Sequence, residues 1–312
     1  MRYRTLGDSG LLVSVVGLGC NNFGARVGLE GTRAVLDAAI DVGVTLLDTA
    51  DIYGQGASEE LLGQALLGRR DQVVLATKFG HRAVEMFGSA AGAKGGRSYI
   101  RRAVDASLRR LQTDWIDLYQ LHTPDPLTPI AETLSALDDL VREGKVRYVG
   151  SSNLTGWQLA EAAHTARELG LTAFVSAQNH WSWLRRDVER EVVPAAVHYG
   201  VGVLPYFPLA NGLLTGKYRR GEAPVAGTRL AGRDPVAAET FDRIEALQRW
   251  AAEHGRTVLD VAVGGLAALP GVGSVIAGAT RPEQVVANAD AGEWVPTVAE
   301  LAEISALVPV PD

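Results

Sequence analysis

Short apolar runs alternate with amphipathic stretches along the whole chain. The runs Val15–Gly19, Val44–Asp48, Val73–Lys78, Trp115–His122, Val146–Ser151, Ala173–Gln178, Val201–Tyr206 and Ser274–Gly278 are rich in Val, Ile, Leu and Tyr, and most do not alternate with polar residues. Continuous runs of this kind suit parallel strands covered on both faces. Between them, helical spacing of apolar positions predicts helices at Thr32–Val42, Ser58–Leu67, Ser98–Leu111, Pro129–Val141, Thr155–Leu169 and Asp187–Tyr199. Further helices are expected near Ala238–Glu253 and Thr257–Ala268, and a last one from about Pro282. Boundary signals support several of these. Ser58 precedes the acids Glu59 and Glu60, Ser98 precedes Tyr99 and an Arg-rich face, and Gly43, Gly144, Gly170 and Gly200 follow helix ends.

Eight strand runs alternate with helices at roughly even spacing, which predicts an α/β protein built as a (β/α)8 TIM barrel. An open doubly wound sheet is the competing architecture; the count and the even spacing favour the barrel. No linker divides residues 1–312, so one domain is expected. The segment Arg2–Val13, centred on Gly7-Asp8-Ser9-Gly10, reads as an N-terminal β-hairpin that could close the bottom of the barrel. Two long connections, Phe79–Arg97 and Pro208–Pro235, follow strand ends and would form long βα loops on the C-terminal face.

Composition narrows the class. The chain has 312 residues, 47% of them apolar, with a net charge of −6 and a pI near 5.6. No Lys/Arg run suggests a phosphate-backbone footprint, so no nucleic-acid partner is expected. The single cysteine, Cys20, allows no intrachain disulfide and is compatible with a reducing compartment. MRYRTLGDSG contains no apolar core of a secretory signal, and no long uninterrupted apolar segment suggests a membrane span. A cytoplasmic protein is the expectation. The six histidines lack metal-ligand spacing, so no metal is expected. Nothing marks an oligomer interface.

The chemistry gathers at the strand ends. Six consecutive runs finish in polar or ionisable groups: Asp48 with Tyr53 beyond it, Lys78, His122, Ser151-Ser152-Asn153, Gln178-Asn179 and Tyr206. In a barrel these ends share one face, where side chains read as catalytic. A free tyrosine titrates near 10 and is a poor proton donor to a carbonyl at neutral pH. A lysine cation about 4 Å away would stabilise the phenolate by up to roughly 4 kcal/mol at an effective dielectric near 20. That corresponds to at most about three pKa units, enough to bring Tyr53 towards the working range. Asp48 would keep Lys78 charged, and His122 can hydrogen-bond the same substrate oxygen. The set suits protonation of an oxyanion forming on a carbonyl. It offers no nucleophile–base pair for acyl transfer.

The segments LLDTADIYG, VLATKFG, DLYQLHTPDP, GSSN and PYFPLANGLLTGKY resemble the signature segments of the aldo-keto reductases, in order and spacing, over nearly the whole chain. The resemblance implies a (β/α)8 barrel that passes hydride from NAD(P)H directly to a carbonyl carbon. It implies Tyr53 as general acid/base, Lys78 as its partner, Asp48 as the acid bound to Lys78, and His122 as the orienter of the carbonyl. It places Ser151, Asn153 and Gln178 at the nicotinamide carboxamide and Tyr206 against the nicotinamide ring. Leu209, Asn211, Leu213, Lys217 and Arg229 would pack over the pyrophosphate. Gly278, Ala279, Thr280, Arg281, Gln284 and Asn288 would hold the adenosine end, with Arg281 near a 2′-phosphate, so NADP(H) is expected and NAD(H) is possible. Gly278-Ala279 stands where many members carry Lys-Ser, and Ala287 where many carry an acid.

Phe23, Phe79, His81, Trp181 and Trp183 are candidates for the substrate pocket, taking a small carbonyl compound. Blander readings stand beside these. Asp51 reads as a loop-capping group, Cys20 as a small buried thiol, and Trp181 and Trp183 equally as rim packing. Gly17-Leu18-Gly19 lacks the third glycine of a dinucleotide fingerprint, since residue 22 is Asn. Lys78 is one of four lysines beside twenty-six arginines, a choice suited to tunable charge. Two other functions fit parts of the pattern. One is a nicotinamide-nucleotide-sensing subunit with slow or no turnover; the other is a lyase or aldolase using Lys78 as a Schiff base.

Overall fold

A computed structural model describes residues 1–83, 85–88, 91–222, 230–232 and 236–311. Ten strands are present among them. β1 (Tyr3–Thr5) and β2 (Leu12–Ser14) form an antiparallel hairpin. The remaining eight are β3 (Val16–Gly19), β4 (Leu46–Asp48), β5 (Val74–Phe79), β6 (Ile116–Leu121), β7 (Val146–Ser152), β8 (Ser176–His180), β9 (Gly202–Tyr206) and β10 (Val275–Gly278). These close into a barrel in chain order, β10 pairing back onto β3, and every pairing is parallel. The (β/α)8 architecture is therefore the one observed.

The helices are α1 (Leu29–Asp41), α2 (Ala57–Ala65), α3 (Arg97–Leu111), α4 (Ile130–Arg142), α5 (Gly156–Leu169), α6 (Val192–His198), α7 (Ala238–Glu253), α8 (Val258–Asp260), α9 (Pro282–Glu293) and α10 (Val298–Leu307). Gly43, Gly144, Gly170 and Gly200 take left-handed φ of 79°, 76°, 64° and 67°, as their places after helix ends require. Ser58 and Ser98 do not cap. Gly56 and Gly96 precede α2 and α3, and Ser58 is buried, donating to the Cys20 carbonyl at 2.9 Å. α10 was not among the expected helices, although Thr297 and Glu300 form a capping box at its start. No helix among the described residues is long and apolar enough to cross a membrane.

The hairpin stops the lower end of the barrel. Leu6, Leu11 and Val13 pack with Leu46, Ala76, Leu118, Leu204 and Ile276 in one buried cluster. Residues alternate between faces along a strand. Positions two further along from that apolar layer are Asp48, Lys78 and Gln120, at the same inward phase as Leu46, Ala76 and Leu118. The sequence changes from apolar to polar along the barrel axis, and the site begins at that level.

Candidate active site

Asp48 ends β4 and Lys78 lies near the end of β5, both buried. Nζ of Lys78 donates to Asp48 Oδ2 at 2.7 Å and to the Thr49 carbonyl at 2.8 Å. It lies 3.4 Å from the hydroxyl of Tyr53. Tyr53 reaches this point because the loop after β4 turns back at once: Asp51 N–H donates to the Lys78 carbonyl at 3.1 Å. Gln55 at φ 58° and Gly56 at φ 98° then swing the chain into α2. His122 follows β6, and its ring meets that of Tyr53 edge-on at 6.1 Å. The four residues expected to act together are thus brought together.

Their protonation differs in one respect from the expectation. Burial raises the Tyr53 phenol above its ordinary value; Lys78 pulls it down without overcoming that. The phenol is therefore held protonated, and Lys78 does not bring it into the working range. Burial opposes the Lys78 cation, but Asp48 and Tyr53 outweigh it and leave its pKa above the ordinary value. Burial, then Lys78 and His81, hold His122 well below the usual imidazole range, so it is neutral at pH 7. Asp51 does not cap the loop. Both its oxygens are buried without a hydrogen-bond partner, and burial, then Glu59, push it up to about 7.

A cleft of about 940 Å³ opens above the tetrad, lined at one end by Cys20, Ile52, Tyr53, His81 and His122 and at the other by Thr280, Arg281, Gln284 and Asn288. Gln178, Asn153, Tyr206, Leu209, Asn211, Lys217, Gly278 and Ala279 also line it. Tyr206 donates its hydroxyl to Asn153 Oδ1 at 2.8 Å, and Asn153 Nδ2 donates to the His122 carbonyl at 2.9 Å. This contact ties three strand ends together. Phe207, Ala210 and Asn211 hold left-handed φ of 54°, 46° and 58°, a concentration of strained backbone along one wall. At the far end Gln284 Oε1 accepts from Thr280 N–H at 2.8 Å, and α9 starts on Pro282 with Arg281 as its N-cap. A cleft lined both by the tetrad side chains and by residues at the N-terminus of α9 beside Arg281 suits a dinucleotide with its phosphates.

Several expected residues lie elsewhere. Ser151 is buried and donates to the Ser176 carbonyl at 3.3 Å; its neighbour Ser152 lines the cleft, because the pleat turns alternate residues inward. Leu213 packs into the apolar cluster around α7 rather than the cleft. Phe23 is wholly buried, and Phe79 stacks on Tyr119 at 4.7 Å within the core. Trp181 is buried with its indole donating to Glu189 at 2.9 Å. Trp183 donates to the Val261 carbonyl at 2.7 Å, in the π-helical turn Val261–Gly265. Of the five pocket candidates, His81 alone lines the cleft. Arg229 lies outside the described residues. Asn21, Asn22, Arg26, Ile52 and Phe207 line the cleft without having been expected to.

Comparison with known proteins agrees with this geometry. The model of the aldo/keto reductase family matches residues 15–309. The uncharacterized oxidoreductase YrpG of Bacillus subtilis (strain 168) is 38% identical over 293 residues, covering 91% of this chain and 89% of its own. Aldo-keto reductase YhdN of the same organism is 35% identical over 306 residues, covering 94% and 89%. A probable voltage-gated potassium channel subunit beta of Oryza sativa subsp. japonica is 35% identical over 309 residues, covering 95% and 92%.

Proposed function

The chain belongs to the aldo/keto reductase family, and from that premise we propose that it reduces an aldehyde or ketone to the alcohol, reversibly, with NADPH as the preferred cofactor and Tyr53 as the proton donor. The family is one of NAD(P)H-dependent oxidoreductases, and a reduced nicotinamide, when bound, would supply hydride to a carbonyl carbon. One observation carries the assignment of the acid: the Lys78 ammonium contacts the Asp48 carboxylate at 2.7 Å and the Tyr53 hydroxyl at 3.4 Å, behind the Asp48 and Tyr53 side chains that line the cleft.

Tyr53 would donate its phenolic proton as negative charge builds on the carbonyl oxygen. Burial keeps the phenol protonated until then. The Lys78 cation stabilises the phenolate left behind, and in the oxidation direction that phenolate takes the proton back. A positioned acid of this kind contributes about 10²–10⁴ in rate. His122, neutral, would hold the carbonyl oxygen by a hydrogen bond. Lys78 is charged and tied to Asp48, which weighs against a Schiff-base lyase.

The preference for NADPH rests on Arg281 at the head of α9. Asn153, Gln178, Tyr206, Leu209, Asn211, Lys217, Gly278, Ala279, Thr280, Gln284 and Asn288 are proposed to hold the dinucleotide, with Ser152 in place of Ser151. The test is to follow reduced-nicotinamide absorbance with a panel of aldehydes and ketones, comparing the protein with Tyr53→Phe. Full activity in the variant would show that the acid is another group. The likeness to proteins described as potassium-channel β subunits favours a second reading, nucleotide sensing. Tight NADPH binding without turnover of any carbonyl would select it.

A further inference from the structure

Gln120 is wholly buried inside the barrel, directly across from Lys78 in the β5–β6 register. It stands two residues beyond Leu118, which belongs to the apolar layer below. A leucine at 120 would continue that layer without burying an amide. An amide in this place is costly unless its hydrogen bonds are made. Gln120 makes them with the catalytic group. Its Nε2 donates to Asp48 Oδ1 at 3.3 Å, and its Oε1 accepts from Gln178 Nε2 at 3.4 Å. Gln178 Nε2 also donates to Asp48 Oδ1, at 2.8 Å. A carboxylate only accepts, so both amides must turn N–H toward it, which fixes their orientation.

The neighbouring strand makes room for this arm. A Cβ at Gly150, the β7 residue in register with Gln120, would run into Ser176 Oγ and approach Gln120 Cγ to 3.2 Å. Oδ1 of Asp48 therefore takes two amide donors, leaving Oδ2 turned to Lys78 Nζ at 2.7 Å.

We propose that Gln120 is a positioning residue for proton transfer: with Gln178 it locks the Asp48 carboxylate in the orientation that aims the Lys78 ammonium at Tyr53. This inference rests on the reading of Tyr53 as the acid. It places the control of that acid partly outside the tetrad, in a ring of side chains from β4, β6 and β8 at the level of Lys78. Without Gln120, Gln178 loses an acceptor and Asp48 Oδ1 a donor. The carboxylate then rotates more freely and Lys78 loses its fixed distance to the phenol. The charged or titratable groups acting on Tyr53 are Lys78 from β5, Asp48 from β4 and Cys20 beyond β3, with the His122 ring beside it after β6. A change at 120 replaces none of these groups; it alters only how Asp48 and Lys78 are held.

The test is Gln120→Met, which keeps length and apolar volume and removes both hydrogen bonds. In protein labelled with ¹³C at the hydroxyl-bearing ring carbon of tyrosine, Tyr53→Phe identifies the Tyr53 signal. Its alkaline titration midpoint should rise by about 0.5 unit or more in Gln120→Met. In turnover, kcat should fall roughly 10-fold, with KM for the carbonyl and the dissociation constant for NADPH changing less than about 2-fold, a split expected when only transition-state stabilisation is lost. An unmoved Tyr53 titration together with unaltered kcat overturns the proposal. If the wild-type protein turns over no carbonyl at all, the functional reading fails, and the Tyr53 titration alone decides the role of Gln120. Gln120→Asn, whose amide is too short to reach Asp48, should show the same shift if the methionine variant does not fold.

Discussion

The Lys78 ammonium lies 3.4 Å from the Tyr53 hydroxyl, and it is held there by its own contacts to the Asp48 carboxylate and the Thr49 carbonyl. The phenol is kept protonated by burial and its conjugate base is stabilised by a fixed cation. A proton donor for a carbonyl needs both properties.

Replacing Tyr53 with Phe removes the donor and leaves the ring. Turnover should fall by about 10²–10⁴, while NADPH affinity, measured by quenching of protein fluorescence, stays within about 2-fold because the hydroxyl makes no expected contact with the phosphates.

Lys78→Met leaves Asp48 buried without its cation. Breaking one side of a buried pair costs about 3–5 kcal/mol, so urea unfolding should show a large loss of stability as well as inactivity. Adding Asp48→Asn in the same chain should recover much of the stability and none of the turnover. A lysine variant as stable as wild type would mean the pair is more solvated than its 0% and 3% side-chain exposure indicates.

Arg281→Ala tests the nucleotide preference. Loss of a charge-assisted contact to a 2′-phosphate should weaken NADPH binding by about 10-fold or more and leave NADH nearly unchanged. Equal weakening of both cofactors would place Arg281 against the shared part of the dinucleotide instead.

Two buried groups give stability opposite dependences on pH. Asp51 has a folded pKa of about 7 against an ordinary 3.8, so between those values the folded state binds more protons and stability falls as pH rises. Asp51→Asn should therefore raise Tm at pH 8 and change it little at pH 4. His122 is held well below 6.5 by burial, then Lys78 and His81. The unfolded state then binds the extra proton, and stability is lost as pH falls below about 6.5. His122→Gln should flatten that acid limb in thermal melts.

Much of this is legible in the sequence. Asp48, Lys78 and His122 stand where apolar runs break into polar residues, and a closed barrel gathers such breaks on one face. The finer errors have separate physical causes. Ser151 and Ser152 differ only in pleat phase, which Leu118, Gln120 and His122 on the next strand could have supplied. Trp181 and Trp183 are large enough to line a pocket or fill a core, and only their indole partners, Glu189 and Val261, distinguish the two. α10 was missed although its capping box is written in the sequence. The rise in the Tyr53 pKa could not be read at all, since it depends on how deeply the phenol sits. Gln120 was hidden inside a run read as buried strand, where a single polar residue carries no meaning until its partners are known.

The hairpin that seals the lower barrel has a consequence for traffic. With Leu6, Leu11 and Val13 wedged beneath the polar layer, the described residues leave that layer facing the cleft on the upper side. A dinucleotide seated in the cleft would lie between that layer and bulk water, so on the proposed reading a phenolate formed at Tyr53 would regain its proton only when the cleft opens.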